Sequence, residues 1–204
     1  MTIRTIKVLH GLLSIPILFE LQQRIFNDYS KVRMEFEEFL GQSGVSILDI
    51  GCSTGACAAS IVSMESNSYV GLDIEADYVA LAARRAPAGR FVAMDARVMA
   101  FPDATFDLAM FIGVMHHMDD TLVKDCLRDV ARVLKPAGRV LVAEPVFTPG
   151  SWLSTTLLNM DRGRYIRTEA GYRGLFEGFS VDRQRYFRFS LHRFCSFVLS
   201  PSLH

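Results

Sequence analysis

Short apolar runs alternate with amphipathic stretches along most of the chain. Five runs rich in Val, Ile, Leu, Phe and Met have the composition of strands buried on both faces: residues 45–50, 68–74, 90–95, 106–115 and 139–144. Three stretches between them repeat apolar positions at helical spacing: residues 56–64, 76–86 and 121–134. Strands that alternate with helices in this way form parallel sheets. The pattern therefore predicts an α/β fold with a doubly wound, Rossmann-like, mostly parallel sheet.

The C-terminal part of the chain departs from this alternation. Residues 145–178 predict an irregular or helical insert, which we expect on the substrate side of the fold. Residues 179–189 and 194–200 predict two closing strands, and residues 190–193 between them are too few for a crossover helix. The expected result is a seven-stranded sheet with an antiparallel last strand.

The N-terminal part of the chain is helical in pattern. Apolar residues recur at helical spacing over residues 20–40, until Gly41 and Gly44 end the pattern. We therefore expect an N-terminal helical cap segment over residues 1–44 and a single domain over residues 45–204.

One apolar stretch near the N-terminus superficially resembles a signal peptide. His10 and Pro16 interrupt residues 8–19, no small-residue cleavage site follows, and the stretch is too short to span a membrane. We expect no transmembrane segment. An amphipathic segment folded over the domain is the favoured interpretation, and peripheral membrane contact is the alternative.

Composition narrows the functional classes. The chain has 204 residues, 50% of them hydrophobic, which suits one compact domain. Lys plus Arg and Asp plus Glu both total 22, so no global positive field indicates a nucleic-acid partner. The cysteines form no CxxC pair and no metal-like spacing with histidine. This predicts free thiols, no metal site and a cytoplasmic location.

A glycine-flanked turn after the first strand is the strongest chemical signal. Gly51 and Gly55 bracket it, and backbone without side chains can approach a ligand closely. Asp49 would repel a pyrophosphate at the following helix, whereas it would attract a cofactor that carries an ammonium group. The dinucleotide fingerprint also requires glycine at position 53, where this chain has Ser53. The turn therefore favours a sulfonium cofactor over a dinucleotide.

Further polar residues follow the later strands. Asp73 lies about 20 residues beyond the turn, from where an acid in this type of fold reaches a ribose diol; a helix cap is the alternative. Asp95 ends the third strand and could accept a hydrogen bond from an adenine amino group or cap a turn. His116 and His117 follow the fourth strand. Since ligands bind at the carboxyl ends of parallel strands, we expect these residues at one edge of the sheet.

Several stretches of the sequence, in the order of the family's motifs, resemble the class I S-adenosylmethionine-dependent methyltransferases. The resemblance covers roughly residues 44–145 and extends more loosely to the C-terminus. The matching stretches are ILDIGCSTG at 47–55, VGLDI at 70–74, MDA at 94–96, FPD at 101–103 with FDL at 106–108, MHH at 115–117 and ARVLKPAGRV at 131–140. Two positions depart from the family pattern, because Ser53 and Ala137 stand where glycine is usual.

The resemblance implies S-adenosyl-L-methionine as the cofactor and assigns residues to it. The implied cofactor-binding residues form the methionine pocket, the ribose contact and the adenine pocket: Asp49, Gly51, Cys52, Ser53, Gly55, Asp73, Ile74, Met94, Asp95, Ala96, Ile112 and Gly113. Ser53 adds a side chain where the methionine part of the cofactor would lie, so reduced affinity is one expected consequence.

The resemblance further implies in-line transfer of a methyl group to a small-molecule acceptor. A base is needed only when the acceptor must lose a proton, and His116 and His117 are the candidates; otherwise one packs against the cofactor and the other caps a turn. The candidate substrate-binding residues are Tyr29, Arg164, Tyr165 and Arg167. A nicotinamide-dependent oxidoreductase, an RNA methyltransferase and a non-catalytic cofactor-binding relative are the alternatives. The sequence indicates neither the acceptor nor the oligomeric state.

Overall fold

Seven strands form one sheet in the computed structural model, which describes residues 28–147, 164–189 and 192–202. The strands are β1 Ser46–Ile50, β2 Ser68–Asp73, β3 Arg90–Ala93, β4 Phe106–Ile112, β5 Leu134–Pro145, β6 Phe179–Phe189 and β7 His192–Pro201. The helices are α1 Ser30–Glu35, α2 Glu37–Leu40, α3 Ala56–Ile61, α4 Ala76–Arg85, α5 Asp120–Val133 and α6 Glu169–Arg173. A 3₁₀ turn, Met115–His117, follows β4.

The strand order is β3-β2-β1-β4-β5-β7-β6. β1 pairs in parallel with both β2 and β4, while β2 pairs with β3 and β4 with β5 in the same direction. β7 runs antiparallel to both of its neighbours, β5 and β6. The predicted mostly parallel, seven-stranded sheet with an antiparallel last strand is confirmed. The order reverses between β1 and β4, and this reversal opens a crevice at the carboxyl ends of the strands.

Two hydrophobic clusters cover the two faces of the sheet. In β1, Leu48 and Ile50 belong to one cluster and Ile47 to the other, as the alternation of side chains along a strand requires. The apolar stripe of α5 packs in the first cluster, whereas the buried residues of α1 and α2 pack in the second. Helices on both faces confirm the doubly wound arrangement and leave the carboxyl edge for ligands.

The helical pattern expected over residues 20–40 forms two short helices in its described part, separated at Phe36, whose backbone leaves helical dihedrals (φ −117°, ψ 21°) while its side chain is fully buried. The predicted end of the fourth strand was wrong, because β4 ends at Ile112 instead of 115. There Gly113 takes a φ of +66°, and the backbone N–H groups of Val114 and Met115 donate to the side chain of Glu144. These two N–H groups therefore take no part in strand pairing.

The turn expected between α5 and the fifth strand was also misplaced. β5 begins at Leu134, directly after Val133 of α5, and Leu134 pairs with Phe106. The register then shifts, so that Pro136 and Ala137 project outward and are exposed. The turn-forming residues therefore make an irregularity inside the strand.

Parts of two predictions lie outside the described residues. These are residues 1–27 of the expected cap segment and residues 148–163 of the expected insert. The division into a cap segment and a domain therefore stays a prediction. Among the residues that the structure describes, no helix combines the length and the apolar character needed to cross a bilayer.

Candidate functional site

The glycine-flanked turn after β1 is held tightly against its neighbours. Gly51 and Gly55 both have a φ of +73°, and a Cβ atom on Gly51 would lie 2.2 Å from Cγ2 of Val114. The N–H groups of Gly51 and Cys52 both donate to the carbonyl oxygen of Leu72, at 2.8 and 2.9 Å. Glycine is therefore required at position 51, both for its backbone conformation and for the close approach of Val114.

Ser53 occupies a left-handed backbone position inside this turn. Its φ is +49°, a conformation that glycine adopts more easily than serine. Its N–H group donates to Oδ2 of Asp73 at 2.9 Å, and its Oγ is buried without a hydrogen-bond partner among the described residues. A buried hydroxyl without a partner is costly, so this orphaned oxygen fits a turn that is completed by a polar ligand.

Asp73 joins the turn to the end of β2. Its two carboxylate oxygens accept from the N–H groups of Ser53 and Glu75, at 2.9 and 3.0 Å. The N-cap residue of α4 is Glu75, so Asp73 itself is not the helix cap that the sequence left open. Each carboxylate oxygen can accept a second hydrogen bond, and Asp73 therefore keeps the capacity to hold a ribose diol.

Apolar and acidic side chains flank Asp73 on the side of β3. Ile74 and Val98 are 71% and 78% exposed, which leaves apolar surface open beside the crevice. Asp95 forms an ion pair with Arg97 at 2.6 Å, and the hydrogen bond from Arg97 holds the pKa of Asp95 below its ordinary value. Met94 and Ala96 are partly buried against the first cluster. An adenine ring fits the apolar surface, although it would share Asp95 with Arg97.

Asp49 is buried inside the fold. It is 5% exposed, and Oδ2 accepts a hydrogen bond from the hydroxyl of Tyr69 at 2.6 Å. Burial raises the pKa of Asp49 from 3.8 to about 7. Its charge at neutral pH is therefore weaker than the sequence interpretation assumed, and its attraction for an ammonium group stays a prediction.

Three further predicted cofactor residues support the same edge. Cys52 is buried, and this burial raises the pKa of its thiol far above the ordinary value, so the thiol acts as a packing group. Gly113 donates its N–H to the carbonyl of Ala143, and a Cβ atom there would meet no described atom closer than Cε1 of His116 at 3.9 Å. Ile112, just before it, packs against the second cluster. The wall of the crevice therefore leaves space beside Gly113.

A buried hydrogen-bonded pair of side chains next to this wall was missed at the sequence level. Glu144, near the end of β5, is fully buried, and its Oε2 lies 2.7 Å from Nδ1 of His116. Oε1 accepts from the N–H groups of Val114 and Met115 at 2.8 and 2.7 Å, while the N–H of His116 lies 3.4 Å from Oε2. Glu144 could have been noticed in the sequence because it ends the fifth apolar run, and the first three runs also end in or contain an acidic residue.

The hydrogen bonds of Glu144 determine which ring nitrogen of His116 carries the proton. Both oxygens of Glu144 accept hydrogen bonds from N–H groups, so the side chain acts as a carboxylate acceptor. Nδ1 of His116 is then the donor, and in the neutral ring Nε2 carries the lone pair. The ring of His117 is in contact with that of His116, with centroids 4.1 Å apart, but His117 is exposed. The two predicted histidines therefore differ, and His116 is the one held by a carboxylate.

The predicted substrate residues do not form one group. Arg167 uses its guanidinium for hydrogen bonds to the backbone and to Asp120, and its role in substrate binding stays a prediction. Tyr165 is 40% exposed and its N–H donates to the carbonyl of His116 at 3.0 Å. Arg164 is exposed, while Tyr29 packs against Phe189 at the end of β6. Acceptor binding by Arg164, Tyr165 and Tyr29 stays a prediction. The described residues contain no group of three His, Cys, Asp or Glu side chains able to bind a metal ion.

Known proteins share both the sequence pattern and the fold. The sequence model of the family described as a methyltransferase domain matches residues 47–138. An O-methyltransferase of Pyrenophora dematioidea is 31% identical over 150 residues, which are 65% of this chain and 55% of that protein. The O-methyltransferase cnsE of Penicillium expansum is 35% identical over 109 residues, 50% of this chain and 39% of that protein. The chain thus spans about half the length of these curated relatives.

A solved structure confirms the architecture. An S-adenosylmethionine-dependent methyltransferase from Methanosarcina mazei superposes with a TM-score of 0.69 at 20% identity, over 83% of this chain and 98% of that one, and this likeness shows the fold. The sequence match spans the glycine turn, Asp73, Asp95 and His116, which the structure places along the carboxyl edge. The methyltransferase-domain match over residues 47–138 and the shared fold confirm the resemblance of this chain to the class I S-adenosylmethionine-dependent methyltransferases.

Proposed function

We propose that the protein is an O-methyltransferase that methylates a hydroxyl group of a small molecule. S-adenosyl-L-methionine supplies an electrophilic methyl group on sulfonium. The observation that carries the proposal is the buried pair of His116 and Glu144 at the carboxyl edge. The curated relatives described above, which are O-methyltransferases, support the choice of oxygen as the acceptor atom.

The chain's own residues account for cofactor binding in this proposal. Asp73 accepts the ribose hydroxyls, the turn around Gly51 and Gly55 gives the backbone room to approach the ligand, and Asp95 with Ile74 receives the adenine. Ser53 offers its unpartnered hydroxyl to the bound cofactor. These residues would hold the methyl donor at the carboxyl edge, and positioning it against the acceptor while water is excluded is the main catalytic task in this chemistry.

His116 acts as the general base. A hydroxyl acceptor must lose its proton by the transition state, whereas the methyl transfer itself needs no nucleophilic side chain. Glu144 accepts the Nδ1 proton of His116 and so presents Nε2 as the nitrogen that takes the acceptor's proton. The positive charge that develops on the ring is then stabilised by the carboxylate 2.7 Å away.

The proposal includes a cytoplasmic location and no nucleic-acid partner. All four cysteines, Cys52, Cys57, Cys126 and Cys195, are free thiols, which supports a reducing compartment. Equal numbers of acidic and basic residues support a small-molecule acceptor over RNA.

Two measurements test the function. Calorimetry with S-adenosylhomocysteine and with NAD identifies the cofactor, and we expect binding of the first alone. A panel of phenols, catechols, aliphatic alcohols and amines is then assayed for acceptor-dependent formation of S-adenosylhomocysteine. Binding of NAD without S-adenosylhomocysteine would refute the proposed cofactor, and transfer to amines alone would refute O-methylation.

The role of the base is tested with adjacent histidines. His116→Gln should lower the rate with the best hydroxyl acceptor by about 10²–10⁴-fold and leave the affinity for S-adenosylhomocysteine within about twofold. His117→Gln is the matched control, because His117 is the exposed neighbour, and it should keep most of the rate. Equal rates for His116→Gln and wild type would eliminate His116 as the base.

A further inference from the structure

Arg167 lies at the carboxyl edge of the sheet, in the described segment that begins at residue 164. It forms a parallel bridge with Val146 at the end of β5, and its carbonyl oxygen accepts from the N–H of Phe147 at 3.0 Å. Its side chain is only 9% exposed. The guanidinium is therefore an internal group, fixed by backbone pairing on its own segment.

Every N–H donor of this guanidinium is engaged. Nε and Nη2 donate to Oδ1 of Asp120 at 2.9 and 2.7 Å, and Nη2 also donates to the carbonyl of Met118 at 2.7 Å. Nη1 donates to the carbonyls of Met115 and Tyr165 at 3.0 and 2.9 Å. These five hydrogen bonds equal the number of donors that arginine has. Arg167 has no donor left for a substrate.

Aromatic rings keep the guanidinium in this place. Its central carbon lies 5.8 Å from the ring centroid of Tyr165 and 5.6 Å from that of Tyr172. Cations within about 6 Å of an aromatic ring are attracted to its face. The planar guanidinium group is therefore held by hydrogen bonds around its edge and by contacts with the two tyrosine rings.

The partners of Arg167 lie on both sides of His116 in the chain. Arg167 holds the carbonyls of Met115 and Met118, and the N–H of Tyr165 holds the carbonyl of His116 itself at 3.0 Å. Glu144 holds the N–H groups of the same stretch from the opposite side. The backbone around His116 is thus held at its carbonyl groups by Tyr165 and Arg167 and at its N–H groups by Glu144.

We propose that Arg167 is the positioning residue of the His116–Glu144 pair. It fixes the 3₁₀ turn Met115–His117 so that Nδ1 of His116 meets Glu144 and the ring keeps one orientation for the acceptor's proton. This inference rests on the proposed function, in which His116 is the base. It also connects the base to the segment 164–168, on which the candidate acceptor-binding residues Arg164 and Tyr165 lie.

The substitution series separates positioning from general stability. Arg167→Met keeps much of the apolar stem and removes every donor, while Arg167→Lys keeps the charge but cannot form the planar fork. Arg173→Met is the matched control, because Arg173 is a half-exposed arginine of α6 that is bonded to Gln184. If Arg167→Met does not fold, the comparison of Arg167→Lys with wild type decides the question.

The first readout needs no acceptor. In wild type we expect a far-downfield NMR signal from the Nδ1 proton of His116, with slow amide exchange at Met115 and His116. In Arg167→Met that signal should broaden or vanish and the two amides should exchange at least about tenfold faster, with Arg167→Lys intermediate. The affinity for S-adenosylhomocysteine should stay within about twofold. A folded Arg167→Met protein with an unchanged Nδ1 signal and unchanged exchange would overturn the inference.

The second readout uses the best hydroxyl acceptor of the panel. A positioning residue should lower kcat by about tenfold or more with little change in KM, whereas a substrate contact would raise KM at constant kcat and overturn the inference. The two proposals fail separately. Full activity of His116→Gln would refute the base, while normal kcat in Arg167→Lys and Arg167→Met, together with loss of activity in His116→Gln, would refute only the positioning role.

Discussion

Asp49→Asn tests the most unusual acid of the site. Asp49 lies in the interior at 2.6 Å from the hydroxyl of Tyr69, and burial raises its pKa from 3.8 to about 7. An asparagine carbonyl can still accept from Tyr69, but the side chain no longer ionises. The substitution therefore removes the charge and keeps the hydrogen bond.

The sign of the effect follows from the raised pKa. The native state binds the proton of Asp49 more tightly than the unfolded state does, so this group lowers the free energy of unfolding as pH rises from about 4 to about 7. The shift is about 3 units, and at about 1.4 kcal/mol per unit it amounts to about 4 kcal/mol in total. Between pH 5 and pH 8 the expected loss from this group is about 2–3 kcal/mol.

Urea unfolding of wild type and Asp49→Asn at pH 5 and pH 8 measures this loss. The buried amide brings its own desolvation cost, so the absolute stability of the variant is not diagnostic. The diagnostic quantity is the change between the two pH values, which should be about 2–3 kcal/mol more favourable for Asp49→Asn than for wild type. Asp77→Asn, at an exposed position of α4, is the matched control and should follow the wild-type curve. Parallel curves for Asp49→Asn and wild type would show that Asp49 ionises normally.

Three further substitutions probe the turn. Gly51→Ala should lower the free energy of unfolding by about 2–4 kcal/mol in urea titrations, because its Cβ would meet Val114 at 2.2 Å in a left-handed conformation, and adding Val114→Ala should restore part of it. Ser53→Gly should raise the free energy of unfolding by about 1 kcal/mol through relief of its φ of +49°, and no change would mean that the turn is unstrained. Asp73→Ala should weaken S-adenosylhomocysteine binding about tenfold in calorimetry; unchanged affinity would place the ribose elsewhere.

The order and direction of the strands could be predicted because apolar runs and helical spacing are local signals. The glycine turn and Asp73 were also within reach, since their spacing along the chain is characteristic of the fold. The buried position of the Asp49 side chain was harder to predict from the sequence. It shares a face with Ile47, which belongs to the second cluster, and its partner Tyr69 lies on the neighbouring strand β2.

The contact of His116 with Glu144 and the contacts of Arg167 depend on tertiary structure. Glu144 meets His116 because Ala143, the residue before it, pairs with Ile112 across two parallel strands, and no local pattern contains that register. Arg167 was predicted to bind substrate because an arginine beside tyrosines suits a planar or anionic ligand. In the structure its guanidinium is bonded to Asp120 and to backbone carbonyls, two of which lie 49 and 52 residues away in the chain.

The direct junction of α5 with β5 has a consequence for engineering this chain. Asp120 begins α5 and is bound by Arg167, and Val133 ends the helix. β5 begins at the next residue and carries Glu144, and Val146, directly after β5, forms the bridge to Arg167. Arg167 thus joins the two ends of the continuous helix–strand segment 120–146. Loop grafts that aim at a new acceptor should leave residues 165–167 intact, because losing these contacts would disturb the proposed base together with the acceptor specificity.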